Sequence, residues 1–409
     1  MNFIEDLKYR GLIYDMTDEA LLDALENQKL TFYLGADPTA DSLHVGHLVA
    51  YLTAKRLIDH GHKAILLIGG ATGLIGDPRG SSERELLSVE KSLSNAKAIS
   101  EQVKKMFDFD LVNNYDWISK INVVDFLRDY GKCFNVNYML NKETVQKRLE
   151  SGISYTEFSY QILQALDFEY LYKTKGVTLQ IGGQDQWGNI TSGIELIRKH
   201  HGFEAKAYGF TFPLVTKADG TKFGKSEGGT LWLDANKTTP YEFYQYWINT
   251  ADQDVLRFLK QFTFLSKEEI ENVMAEFEKA PHERLAQKVL AEKITTLVHG
   301  KEAYESVLRI SSALFSGNIE QLSAEEIDMG FKNAPSITAV EDMNILDALV
   351  SSQLASSKRE AREFVGSGAV SVNGQKVTSI DFIITKENAL YNKFSVIKRG
   401  KKKYSLVRH

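Results

Sequence analysis

Residues 31–70 constrain this chain more than any other stretch. "TFYLGAD" (31–37) is a run of β-branched and aromatic residues broken by Gly35, and it predicts a strand. "HLVAYLTAKRLIDHG" (47–61) carries Leu48, Tyr51, Leu52, Leu57 and Ile58 at helical spacing, with Gly61 suited to its end. "KAILLIGG" (63–70) is a continuous apolar run of the kind that a parallel sheet buries on both faces. Strand, helix and strand in that order make a βαβ unit, which predicts an open parallel α/β sheet. "VTLQIGGQDQWGN" (177–189) predicts a further strand that runs into a helix near Asn189, and the segment between, 80–175, is mainly helical in pattern.

After this the character changes. Thr239-Pro240 is a helix start with proline at the first helical position, and Ser266 with Glu269 forms a capping box. "ERLAQKVLAEKITTLVHG" (283–300) is amphipathic. The expected organisation is a nucleotide-binding catalytic domain over 1–229, a helical domain over 230–327, a linker over 328–342 and a basic module over 343–409. That last part holds 12 Lys+Arg against 5 Asp+Glu, a net +7, while the whole chain carries −5. The asymmetry suits a nucleic-acid-binding module on an acidic body; a solvated basic face is the alternative.

Composition removes several classes. Of 409 residues, 43% are apolar and 25% charged, ordinary for a soluble globular chain, and no run approaches the length of a membrane span. The N-terminus lacks a signal peptide's basic and apolar regions, so a cytoplasmic, reducing location is expected. The single cysteine, Cys133, excludes an internal disulfide and a zinc site of several thiolates; a buried, inert thiol is expected.

Four segments carry candidate chemistry. In "YLGADPTADSLHVGH" (33–47), Asp37, Thr39, His44 and His47 stand between a strand and a helix, at the sheet's carboxyl edge where ligands bind. An imidazole pair at a helix N-terminus suits phosphate, with local capping as the alternative; no nearby cysteine or glutamate completes a zinc set. "GGATGLIGDPRG" (69–80) has G-x-x-G-x-x-G spacing, so it is no dinucleotide fingerprint; it is either a close approach to a ligand beside Asp77 or a tight turn. In "DQWGN", Asp185 and Gln186 suit ribose hydroxyls or a helix cap. Tyr160, Gln164 and Asp167 share one helix face among apolar neighbours, either a pocket wall or a solvated stripe. "TKADGTKFGKSEGG" (216–229) ends like a P-loop in Gly224, Lys225 and Ser226, but only three residues separate Gly220 from Gly224, one too few.

Taken together, "DPTADSLHVGH", "GGATGLIGDP", "NNYDW", "GISYTEFSY", "IGGQDQWGN" and "PLVTKADGTKFGKS" resemble the bacterial tyrosyl-tRNA synthetases over essentially the whole chain. "HVGH" is similar to the HIGH signature of class I aminoacyl-tRNA synthetases, and "KFGKS" to their KMSKS loop. "SSKREAREFVGSGAVSVNGQKV" resembles a small RNA-binding module shared with a ribosomal protein. The resemblance implies an α/β Rossmann-like parallel-sheet catalytic domain, a helical anticodon-side domain and a small α+β RNA-binding module. It further implies activation of L-tyrosine by ATP with accompanying Mg2+, transfer to tRNA(Tyr), a homodimer and no membrane. By the same resemblance Thr39, His44, His47, Lys222, Lys225 and Ser226 serve ATP. Asp77, Tyr160 and Gln164 hold the ammonium, Asp185 and Gln186 the ribose and carboxyl region, and Tyr33 and Asp167 the phenol, with Asp37 beside them. Lys358, Arg359, Arg362, Lys401, Lys402 and Lys403 face RNA. The sequence departs from the family at "RGSSER", where a lysine pair is missing; Arg84 aligns with a phosphate-binding arginine and Arg79 is the candidate substitute. A tryptophanyl enzyme of the same class and a non-catalytic RNA-binding paralogue are the rival readings.

Overall fold

The computed structural model describes residues 1–78, 87–107, 109–221, 223–226, 229–400 and 403–409, with the side chain of Ser226 also outside the description. Arg79, Ser81, Ser82, Arg84, Lys222, Lys401 and Lys402 therefore lie outside the described residues. The chain divides into two compact units, Met1–Asp234 with Thr250–Leu290, and Ala235–Asn249 with Ala291–His409.

In the first unit, five parallel strands take the order β3-β2-β1-β4-β5. They are β1 (Thr31–Ala36), β2 (Lys63–Ile68), β3 (Asp110–Asn113), β4 (Leu179–Gly183) and β5 (Tyr208–Phe212). The strand order reverses direction at β1, between β2 and β4, and that is where a crevice opens at the strands' carboxyl ends. β3 falls inside the segment expected to be mainly helical; at four residues it is too short for its apolar pattern to stand out. Helix α1 is Phe3–Tyr9, α2 is Val45–Asp59, α3 is Tyr155–Lys175 and α4 is Trp187–His201. The βαβ unit thus forms as expected, with α2 starting slightly ahead of the periodic run because His44 caps it. α4 begins at Trp187, ahead of the expected Asn189, directly after the turn Gln184–Gln186. Its core buries Leu166 and Phe168 of α3 with Ile190, Ile194 and Ile197 of α4 against Tyr33, Ile65 and Leu67 of the sheet. Two helices of this unit follow the sheet in sequence, α5 (Asp252–Phe262) and α6 (Lys267–Lys279, opened by the Ser266–Glu269 capping box).

The second unit begins with Pro240–Ile248, capped by Thr239 as expected. Helices Lys301–Ser316 and Ala324–Gly330 share one apolar core with strands Phe394–Arg399 and Lys403–Arg408, through Ile310, Ile319, Leu322, Ile327, Phe331, Phe394, Val396 and Leu406. Ser336–Thr338, inside the stretch read as linker, pairs parallel with Lys403–Arg408 as the edge of that sheet.

Cys133 is half-buried rather than buried, with its Sγ 3.5 Å from His200 Nε2. The expectation failed because the cysteine stands in a short 3-10 turn, Gly131–Cys133, rather than on the apolar face of a long helix.

Candidate active site

A cavity of about 340 Å³ opens at the carboxyl ends of β1 and β4. Tyr33, Asp37, Thr39, His44, His47, Tyr160, Gln164, Asp167, Asp185 and Gln186 all line it. Two ends can be told apart by their chemistry.

At the first end the wall is buried and hydrogen-bonded in a chain. Asp167 of α3, only 1% exposed, accepts from Trp117 Nε1 at 2.8 Å and from Asn114 Nδ2 at 2.9 Å. Asn114 also donates to Thr72 Oγ1 (2.9 Å), which donates to Asp37 Oδ1 (2.9 Å). Tyr160 donates its hydroxyl to the other Asp37 oxygen at 2.9 Å. Gly69 is required here, since a Cβ would lie 2.2 Å from Asp37 Oδ1 and 2.4 Å from Thr72 Oγ1. Burial pushes the Asp167 carboxyl up to about 8, against the lowering effect of its two donors. Burial, and then the nearby Asp167 charge, likewise raise the Tyr33 phenol. Tyr33 is buried against Phe168, and its hydroxyl has no hydrogen-bond partner; the Oε1 atoms of Gln164 and Gln180 are equally unpartnered. Buried polar atoms without partners carry a desolvation cost that a ligand can relieve. Asp77 stands one step behind, accepting from Gln186 Nε2 (2.9 Å) and Asn189 Nδ2 (3.3 Å).

Sequence reasoning assigned no role to Thr72, Asn114, Trp117 or Gln180. "NNYDW" carried Asn114 and Trp117 at the end of β3, and that motif was the available signal.

The other end is built on the start of α2. His44 is its N-cap and accepts from Gly46 N–H on Nδ1 (3.1 Å), while His47 Nδ1 accepts from His44 N–H (3.2 Å). The rings stack at 3.9 Å. Because each Nδ1 accepts, the ring proton resides on Nε2, and burial lowers the His44 pKa so that this imidazole is neutral. Gly46 is dictated by contact, since a Cβ would lie 2.8 Å from the His44 ring.

The lysine-bearing segment docks on this same turn. Lys225–Ser226 pairs antiparallel with Gly229–Thr230, and the chain continues alongside residues 43–45. Val45 N–H donates to Leu231 O (3.0 Å) and Leu233 N–H to Leu43 O (2.8 Å). Gly224, at φ +78°, comes so close that a Cβ would lie 2.8 Å from Val45 Cγ2. The two signature segments, far apart in sequence, are thus one ribbon, with Lys225 exposed on it. Among the described residues, no group of three or more His, Cys, Asp or Glu is arranged to hold a metal ion.

The comparisons with known proteins fit this geometry. A family model described as tRNA synthetases class I (W and Y) matches residues 25–316, and one for the tyrosine–tRNA ligase SYY-like C-terminal domain matches 326–407. Tyrosine–tRNA ligase 1 of Bacillus subtilis is 55% identical over 99% of both chains. The chain belongs to the tyrosine–tRNA ligase family. A tyrosine–tRNA ligase of Staphylococcus epidermidis is 53% identical over 99% of this chain and 98% of its own. The solved structure of a C-terminally truncated mitochondrial tyrosyl-tRNA synthetase from Aspergillus nidulans superposes with a TM-score of 0.69 at 33% identity, covering 77% of this chain and 94% of that one. This ligase is accordingly a class I enzyme that joins tyrosine to tRNA, on the expected Rossmann-like sheet followed by helices and a C-terminal module with a mixed sheet.

Proposed function

We propose that the cavity's buried end receives the tyrosine side chain and its histidine end receives ATP. The observation that carries this reading is the unpartnered Tyr33 hydroxyl beside Asp167, opposite a stacked histidine pair at a helix N-terminus. A phenol hydroxyl can both accept from Tyr33 and interact with the Asp167 carboxyl, which satisfies the buried atoms. Gln164 and Tyr160, with Asp77 behind Gln186, orient the ammonium; Asp185 and Gln186 serve the ribose and carboxyl region. Asp37 fixes the Tyr160 hydroxyl.

The substrate carboxylate oxygen then attacks the α-phosphorus of ATP, and the bond to pyrophosphate breaks. Negative charge builds on the phosphate oxygens in the transition state. Nε2–H groups of His44 and His47, Thr39, and the ammonium of Lys225 meet it, so catalysis is positioning plus electrostatic stabilisation. Lys222, Arg84 and Ser226 join this set by resemblance alone, and Arg79 is the proposed substitute for the missing lysines. Mg2+ enters with ATP as part of the substrate. In the second step a terminal ribose hydroxyl of tRNA(Tyr) attacks the tyrosyl carbonyl and AMP leaves.

Lys358, Arg359 and Arg362, exposed on helix Lys358–Gly366, form the proposed RNA face with Lys401, Lys402 and Lys403. The proposed domain division remains 1–229, 230–327, 328–342 and 343–409. A cytoplasmic homodimer completes the reading. The exposed apolar side chains Val123, Val124, Leu127, Val136, Tyr138 and Tyr155 support a covered surface, and sedimentation of a Val124→Asp variant as a monomer is the expected result.

ATP–pyrophosphate exchange tests the central reading. Exchange driven by L-tyrosine, and far less by L-phenylalanine or L-tryptophan, is expected; equal exchange with tryptophan overturns the phenol assignment, and no exchange at all favours a non-catalytic paralogue.

A further inference from the structure

Helix α5 has a buried carboxylate and a pair of aromatic rings that contact the lysine-bearing segment. Asp254 is 3% exposed, yet both its oxygens accept from one backbone group, Ala218 N–H, at 3.1 and 3.2 Å. Arg257, one turn on, donates to Asp254 and also to the carbonyl of Thr216. Phe223, immediately before Gly224, lies 5.3 Å from Phe258 edge-on and 5.4 Å from Phe262 in a near-parallel stack. Contacts of this kind add to apolar burial and fix ring orientation.

The far end of α5 is fastened just as specifically. Arg10 donates to the carbonyls of Lys260 (2.9 Å), Thr263 (3.1 Å) and Leu265 (2.6 Å), while Arg56 donates to Thr263 O. Two guanidinium groups thus cap the carboxyl end of α5, where the helix dipole favours positive charge. Arg56 belongs to the last turn of α2, the helix that His44 opens. The contacts close a ring: His44 and Val45 at the head of α2, Arg56 at its tail, α5, Phe223, then Gly224 back against Val45.

We propose that α5 is a positioning element for the activation step. It sets where Lys225 stands relative to the histidine pair, and Asp254 and the Phe258–Phe262 pair are the residues that do so. They touch no substrate; they act through the segment Thr216–Lys225, which Asp254 holds by accepting from Ala218 N–H while it pairs with the Arg257 guanidinium. The proposal rests on the reading of Lys225 given above.

The test is single-turnover formation of tyrosyl-adenylate in the full-length enzyme, alongside equilibrium binding of tyrosine. Misplacement of a reacting group by about 1 Å can cost about 10²-fold, so Asp254→Ala should slow adenylate formation by about tenfold or more with the tyrosine Kd unchanged. Asp254→Asn keeps an oxygen acceptor for Ala218 N–H but gives up the ion pair with Arg257, so it should react faster than Asp254→Ala and more slowly than the wild type. Phe223→Ala, at a half-buried position, probes the same link without hollowing the core of α5. Adding Asp254→Ala or Phe223→Ala to Lys225→Ala should slow the reaction little further, because these residues act through Lys225. A merely structural role would weaken tyrosine binding with the rate, or add its full effect on top of Lys225→Ala; either result overturns the proposal. So does a normal rate in both Asp254→Ala and Phe223→Ala while Lys225→Ala is slow. If Lys225→Ala itself reacts at the normal rate, it is the reading of the lysine segment that fails.

Discussion

The two ends of the cavity solve opposite problems. The dry end at Tyr33 and Asp167 is buried and leaves polar atoms unpartnered, and in the proposed function its selectivity resides in the ligand that satisfies them. The end at His44 and His47 is open, with the exposed Lys225 on the ribbon beside it, and in the proposed function these groups are the donors that meet the developing charge. Discrimination by unsatisfied partners is felt by the ground state and the transition state alike; stabilisation of developing charge is felt by the transition state alone. The contrast implies that substitutions at the two ends should separate cleanly into changes of selectivity and changes of rate.

The largest expected effect is at the open end. Lys225→Ala should lower the single-turnover rate of adenylate formation by about 10²–10³, the usual consequence of losing one charge-stabilising contact. Tyrosine affinity, measured by equilibrium titration, should stay unchanged. A parallel loss of affinity would break the comparison, since it would make Lys225 a ground-state contact.

At the dry end, Asp167→Ala or Tyr33→Phe should narrow the ratio of kcat/KM for tyrosine over phenylalanine. An unsatisfied buried partner costs about 1–3 kcal/mol, so the ratio should shrink by about 10- to 100-fold. An unchanged ratio in Asp167→Ala removes that residue from phenol recognition.

Burial of Asp167 has a further consequence for pH. The folded carboxyl titrates at about 8 and the unfolded one near 3.9. Between these values the folded state holds the extra proton, so the stabilising contribution is complete below about pH 4 and is lost as pH rises through about 8. Carboxylates whose pKa is lowered act in the opposite sense near pH 4, so the informative quantity is a difference. Across the neutral range the wild-type protein should lose stability relative to Asp167→Asn by up to about 1.4 kcal/mol per pH unit, read by denaturant titration without tyrosine. Parallel stability curves would show that Asp167 is ionised in the empty cavity and that the dry end is better solvated than its burial indicates.

How far each region could be read from sequence follows the same division. The histidine end is local: His44, Gly46 and His47 lie within one turn, and the βαβ pattern around them follows from periodicity. The dry end is assembled from positions far apart, since Asp167 bonds to Asn114 and Trp117, and Tyr160 to Asp37. No spacing rule links such partners, so Tyr160, Gln164 and Asp167 were visible as a stripe on one helix while the side chains that hold them were not. The docking of Gly224 on Val45 is likewise a tertiary fact. The strand Ser336–Thr338 was hidden by its shortness and by the proline and glycine around it.

The basic module offers a third region that should move neither end of the cavity. Excising it after Asp342 is a poor way to show this. Phe394, Val396 and Leu406 share a core with helices Lys301–Ser316 and Ala324–Gly330, and Tyr404 and Tyr391 donate their hydroxyls to Leu314 O and Leu322 O. Removing those strands would leave Ile310, Leu322 and Ile327 without their cover. Replacing Lys358, Arg359 and Arg362 together by alanine avoids this, because all three are exposed and the helix's own core contacts run through Ala361 and Val365. Among the described residues, Lys358 and Arg359 pair with the surface carboxylates Asp347 and Glu363, so little stability is lost. Tyrosine-dependent pyrophosphate exchange should then be normal, while tRNA affinity falls and its log–log dependence on salt flattens by about 0.7–0.9 for each phosphate contact removed. An unaltered salt slope would make this helix a solvated face and shift the RNA contact elsewhere in the chain. A slower exchange would be the more consequential outcome, because it would mean that the module acts on the cavity itself and that adenylate formation is not confined to the groups between Tyr33 and Lys225.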